Sequence, residues 1–232
     1  VACADKSNEI TAIPELLRLI DVTGAVVTID AMGCQKEIAA QIVSQGGDYV
    51  LAVKDNQPTL HADVEALFLE GLENDFAGQE HRSQRTTERG HGRTETRHVH
   101  VLAAPPELKA RHPQWPGLRS LVMVCSERRV DTGKASDEVR YFLSSLPPAV
   151  KALAAAIRGH WGIENHLHWV LDVSFDEDSS RVRRDHGPEN LALIRRLALS
   201  LLHSEKTAKV GMACKRCKAA WCPNVARGPR NA

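Results

Sequence analysis

Two carboxylates sit where their surroundings could give them chemistry. Asp30 closes the run Ala25-Val26-Val27-Thr28-Ile29, which is nearly all apolar, and Ala31-Met32-Gly33 follows it. In open α/β sheets ligands gather beyond the carboxyl ends of the strands, so an acid there is placed to hold a cation. A turn or helix-capping aspartate carries the same local signature. The second carboxylate, Glu164, lies within RGHWGIENHLHWVLDVSFDEDSSRVRR (158–184). On an α-helix His160, Glu164 and His168 would line one face at i, i+4 and i+8, with Trp161 and Trp169 beside them. A glutamate among Trp, Ile and Leu is costly to desolvate unless it is paired or binds a cation. It therefore reads either as a metal ligand or as an ion pair with His160 or His168. A hydrolase using His160, Glu164 and His168 is a further alternative, but the chain lacks the His-Glu-x-x-His pattern. Cys214, Cys217 and Cys222 with His203 hint at zinc; no second Cys pair of matching spacing follows.

The elements around these residues follow from patterning. Thr11 is placed to cap a helix with Pro14 in its first turn. AVVTI reads as a strand covered on both faces, 35–44 as a helix stopped by Gly46-Gly47, and 48–53 as a second buried strand. Asn56 is placed to cap a helix carrying Leu60, Val64, Leu67 and Phe68. Strand, helix, strand, helix predicts a parallel pair joined by a right-handed crossover. The polar stretch AGQEHRSQRTTERGHGR (77–93) reads as a loop. Residues 96–102, 118–125 and 139–143 then read as antiparallel strands, with a turn at 131–134. Helical patterning resumes after Pro147-Pro148, through about Asp172, and again from Pro188 to about His203.

Composition bounds the class. The chain has 232 residues, 43% of them hydrophobic and 25% charged, which excludes a disordered or membrane-built protein, and its six scattered cysteines favour reduced thiols in a cytoplasm. The net charge of +1 hides an asymmetry. Residues 1–80 carry four Lys/Arg against fourteen Asp/Glu, whereas 81–150 carry twelve against seven and 151–232 fourteen against eight. An acidic first third joined to a basic remainder is what metal-binding carboxylates beside a phosphate-binding surface would produce. Uneven surface charge on an ordinary enzyme would look the same.

Five separated motifs occur in a fixed order: TIDAMGCQ (28–35), KDNQ (54–57), ERGHGRTETR (88–97), HWGIENHLHWVLDVSFDEDSSRVR (160–183) and ENLALIRRLALSLL (189–202). From about Lys6 to Trp221 the chain resembles DDE transposases of bacterial insertion sequences, in particular the H-repeat-associated group. The resemblance implies an α/β fold with a ribonuclease-H-like core, a β-rich insertion and C-terminal helices. It divides the chain into a first part of the core (1–77), the insertion (78–147), core helices with the third acid (148–204) and a basic tail (205–232), expected to be disordered or frameshifted. It also implies cleavage and transfer of double-stranded DNA at insertion-sequence ends with Mg²⁺ or Mn²⁺, and a homodimer for the intact protein.

Carried over by position, Asp30 matches the second catalytic acid and Glu164 the third. The family's Tyr, Arg and Lys around that glutamate fall here on Ile157, His160 and Leu171, a departure from the pattern. The family's first aspartate precedes the Ser7-Asn8-Glu9-Ile10 element, so the chain is expected to lack it, its core's first strands and cleavage activity. The alternative is a DNA-binding remnant without catalysis. Two-metal phosphodiester chemistry needs such acids, since one ion activates the nucleophile and the other steadies the leaving oxygen. Lys54, Arg89, Arg93, Arg97, Arg181, Arg183, Arg195 and Arg196 are the candidate DNA contacts, and Gly90 and Gly92 leave room for close approach to phosphate.

Overall fold

A computed structural model describes residues 9–90, 92–131, 133 and 135–221; the side chains of Glu9, Glu164 and Asn165 also lie outside the described residues. The chain forms two compact units, 1–160 and 161–232.

The first unit is built on one six-stranded sheet. Its elements are α1 (Glu9–Leu19), β1 (Val26–Ile29), α2 (Lys36–Ser44), β2 (Asp48–Val53), α3 (Pro58–Glu73), β3 (His81–Gly90), β4 (Arg93–Ala103), α4 (Pro106–Arg111), β5 (Ser120–Val130), β6 (Ala135–Ser144) and the body of α5 (Val150–Ile163). The strand order is β1-β2-β6-β5-β4-β3. β1 and β2 are parallel, as predicted, and every other pairing is antiparallel.

Both faces of the sheet are covered, which explains the unbroken apolar run of β2. On one face Ile38 and Ile42 of α2 and Leu60, Val64 and Phe68 of α3 pack on Tyr49, Leu51, Leu121 and Leu143. On the other, Leu153 and Ile157 of α5 pack on Val50, Val99, Val101, Val122 and Phe142. Alternate residues of one strand thus serve two cores.

Several expectations are corrected. α1 begins upstream of Thr11, so Thr11 lies inside the helix and Pro14 interrupts its bonding rather than opening it. β1 is not covered on both faces: Val26 is exposed, Val27 to Ile29 are half-buried, and β1 ends the sheet. The polar stretch after residue 77 is not a loop, because His81–Gly90 forms β3, the opposite edge strand. Its side chains are mostly exposed, so no apolar alternation marks it. The strands of residues 78–147, expected as a β-rich insertion, continue the sheet of β1 and β2, since β6 pairs directly with β2 across Val50–Val53. The expected turn at 131–134 joins β5 to β6, although Thr132 and Lys134 lie outside the described residues.

The second unit contains a π-helical turn (Glu164–His168), α6 (Trp169–Phe175), α7 (Gly187–Ser204) and α8 (Met212–Trp221). Pro188 sits in the first turn of α7, as its fixed φ favours. Val170 and Leu171 of α6 form a small core with Leu199 of α7 and Met212 of α8. Within the segment after residue 204, expected to be disordered or frameshifted, Met212–Trp221 is helical. Residues 222–232, Cys222 among them, lie outside the described residues. Among the described residues no helix is long and apolar enough to cross a membrane.

Candidate functional site

The carboxyl ends of β1 and β2 point the same way because the strands are parallel, and each feeds one of the sequence motifs into a loop. Asp30 is the first residue after β1, and its side chain is exposed. The N–H of Gly33 donates to Asp30 Oδ1 at 3.3 Å. That return of the chain needs glycine: a Cβ at residue 33 would stand 2.3 Å from Ile29 Cγ2. The loop after β2 then locks the loop after β1. Asn56 Nδ2 donates to the carbonyl of Ala31, and Gln57 Nε2 donates to the carbonyl of Cys34 at 3.0 Å. Asn56 therefore does not cap α3, whose N-cap is Gln57. The spacing of TIDAMGCQ and KDNQ gave no sign of these bonds. Lys54 is exposed directly after β2, at the same end of the parallel pair as Asp30.

On the α5 side of β1, Thr28 Oγ1 and His160 Nδ1 share a hydrogen bond at 3.2 Å. His160 thus ties α5 to β1, two residues before Asp30. Glu164 is four residues further along and opens the π-turn, but its side chain lies outside the described residues. The π-turn also alters the stripe expected of His160, Glu164 and His168. Wider i→i+5 bonding over 164–168 rotates the later residues away from the 3.6-residue face. His166 Nδ1 donates to the carbonyl of Gly162 at 2.8 Å, within that turn.

Among the described residues no three His, Cys, Asp or Glu side chains stand together in a way that could hold a metal ion. Cys214 and Cys217 are free thiols exposed on α8. Asp30 offers a hard oxygen donor with one backbone bond already fixed. That suits Mg²⁺, which takes few carboxylates and completes its shell with water and phosphate oxygens.

The predicted basic contacts separate into different settings. Arg89 and Arg93 flank the β3–β4 turn, where Gly92 has φ +69° and His91 lies outside the described residues. The ladder pairs Arg89 with Thr94, and Glu88 with Glu95, so Arg89 points to the opposite face from Arg93 and Arg97. Arg97 is engaged by Glu95 at 2.8 Å and Glu88 at 3.6 Å. Arg158 of α5 donates to Glu88 at 2.7 Å, and this bond is the main reason the Glu88 carboxyl titrates below its ordinary value. In the second unit Arg195 lies 3.8 Å from Glu177, whereas Arg181, Arg183 and Arg196 are exposed.

One cluster escaped the sequence reading. His81, His98 and His100 gather on the α3 face of β3 and β4, with Phe76 stacked on His81 at 3.6 Å. His81 Nε2 and His100 Nδ1 are hydrogen-bonded at 3.1 Å. Burial, with His98 and His81 adding to it, pushes the His100 imidazole down to about 4.

The transposase DDE domain family matches residues 1–201. The chain is 43% identical over 224 residues to the "H repeat-associated putative transposase YhhI" of Escherichia coli K12, covering 95% of this chain and 58% of that protein. It is 44% identical over 218 residues to the "putative transposase YncI" of Escherichia coli O157:H7, covering 93% and 55%. It is also 43% identical over 223 residues to the "putative protein YbfL" of Escherichia coli K12, covering 94% and 58%. The chain thus spans little more than half the length of these relatives.

Proposed function

Because the chain belongs to the DDE transposase family, we propose that Asp30 and Glu164 are two of its catalytic acids, each supplying a carboxylate to Mg²⁺ or Mn²⁺. The reaction these acids would serve in the whole protein is cleavage and strand transfer of double-stranded DNA at the ends of an insertion sequence, within a ribonuclease-H-like core. The observation that carries the reading is the bond between Thr28 and His160. It fastens α5 onto β1, the strand that Asp30 directly follows, within the first unit; Glu164 is assigned by its match to the family's third acid.

Asp30 would hold its ion with the oxygen lone pairs left over from the Gly33 bond. The Asn56 and Gln57 bonds keep that loop from shifting as charge changes around it. When bound, such ions activate the attacking oxygen and steady the leaving one. Lys54, at the neighbouring strand end, would counter a phosphate near Asp30. Arg89, Arg93, Arg181, Arg183 and Arg196 are the further candidates for backbone contact. Arg97 and Arg195 would have to leave carboxylates to take part.

Titration calorimetry with Mn²⁺ tests the acids without requiring turnover. Asp30→Asn and Glu164→Gln should each weaken Mn²⁺ binding about tenfold or more, since each would remove a charged oxygen ligand. Unchanged binding in both variants would refute the assignment. DNA binding without Mn²⁺ binding in the unaltered chain would instead favour a DNA-binding remnant.

A further inference from the structure

The β3–β4 ribbon has two chemically different faces. Its acids, Glu88 and Glu95, are direct cross-strand partners and therefore share a face, the one toward α5. Like charges placed opposite one another are destabilising. Arg97 and Arg158 relieve them by ion pairing, so two arginines of that side are engaged within the protein. The reverse face presents Arg85, Thr87 and Arg89 of β3 beside Thr94, Thr96 and His98 of β4, by the same register. It carries no acid on either strand, and no carboxylate is paired with Arg85 or Arg89 among the described residues. On the next strand, Glu127 shares this face and is held by Arg129. The Thr87 and Thr96 hydroxyls meet at 3.2 Å, leaving further hydrogen-bonding capacity between the two arginines.

We propose that this reverse face, centred on Arg85, Thr87 and Arg89, is a docking strip for the phosphate backbone of double-stranded DNA. The proposal rests on the transposase reading and deepens it. It names Arg85, absent from the sequence-derived set, and sets aside Arg97, which belonged to it. Residues 85 and 89 are four apart on an extended strand, roughly 14 Å, which matches the axial rise of about four base pairs of duplex. Both side chains are exposed on an edge strand, with no neighbouring strand beyond β3 among the described residues to obstruct approach. Threonine hydroxyls and arginine guanidinium groups bind phosphate without reading bases, so the strip fixes position rather than sequence.

The test measures how binding of the whole chain to a duplex depends on salt. Each lost phosphate contact makes the log–log slope shallower by about 0.9, so Arg85→Gln/Arg89→Gln should lower it by about 1.8. The equal-charge control Arg128→Gln/Arg140→Gln lies on the α5 face and should change it by less than half as much. Circular dichroism establishes that both variants are folded; should the first not be, Arg85→Lys/Arg89→Lys must keep the slope and Thr87→Glu must reduce affinity. An unchanged slope in Arg85→Gln/Arg89→Gln, or an equal drop in both double variants, would overturn the strip while leaving the transposase reading intact. A chain that binds no duplex at low salt would overturn both.

Discussion

Among the described residues Asp30 accepts one N–H, from Gly33, and the position of its carboxylate depends on how closely Gly33 passes Ile29. Gly33→Ala should therefore destabilise the protein by about 1–3 kcal/mol, as overpacking does, and displace the loop. Combining it with Ile29→Ala should recover part of that loss. Denaturant unfolding of the two single variants and the double would measure the coupling. Additive effects would show that Gly33 does not matter through Ile29. The position of Asp30 at the end of a strand was legible in the sequence, because a nearly apolar run closes on it. The roles of Asn56 and Gln57 were not, because their acceptors are backbone carbonyls more than twenty residues away.

The elements differ in how clearly residue types announce them. β2 and α7 were legible since burial on two faces and a helical stripe with Pro188 leave strong patterns. β3 was hidden because an exposed edge strand needs no apolar period, and its charges also protect the edge from pairing with another chain. The π-turn was hidden as well: it is a change of hydrogen-bond register, which Glu-Asn-His-Leu-His does not encode in any periodicity. The histidine cluster ties the end of α3 to this region through Phe76. The titration of His100 is displaced downward from 6.5 to about 4, so over that window the unfolded chain binds more protons than the folded one. Stability is accordingly full above about 6.5 and falls as pH drops toward 4. His81 and His98, lowered by burial too, act in the same direction, while Asp75 partly opposes the effect at His81. Thermal melts should show Tm falling more steeply between pH 7 and 4 in the unaltered chain than in His100→Gln. Equal falls would contradict this role for the cluster.

At the scale of the whole molecule, one sheet gathers the parallel pair whose first strand is followed by Asp30 and the antiparallel ribbon that carries the basic strip, while Glu164 opens the π-turn of the second unit. The acidic first third and the basic remainder of the sequence correspond only loosely to these bodies, because the ribbon's own acids neutralise part of its positive charge. The central proposal is that Asp30 and Glu164 are both metal-binding acids. Iron-mediated backbone cleavage tests it most directly: Fe²⁺ substitutes for Mg²⁺, and oxidation started with ascorbate and peroxide cuts the chain near the bound ion. The account predicts cuts around residues 28–34 and around 160–168, both suppressed by excess Mg²⁺, the first lost in Asp30→Asn and the second in Glu164→Gln. Cuts at only one of these segments, or cuts that survive both substitutions, would contradict it.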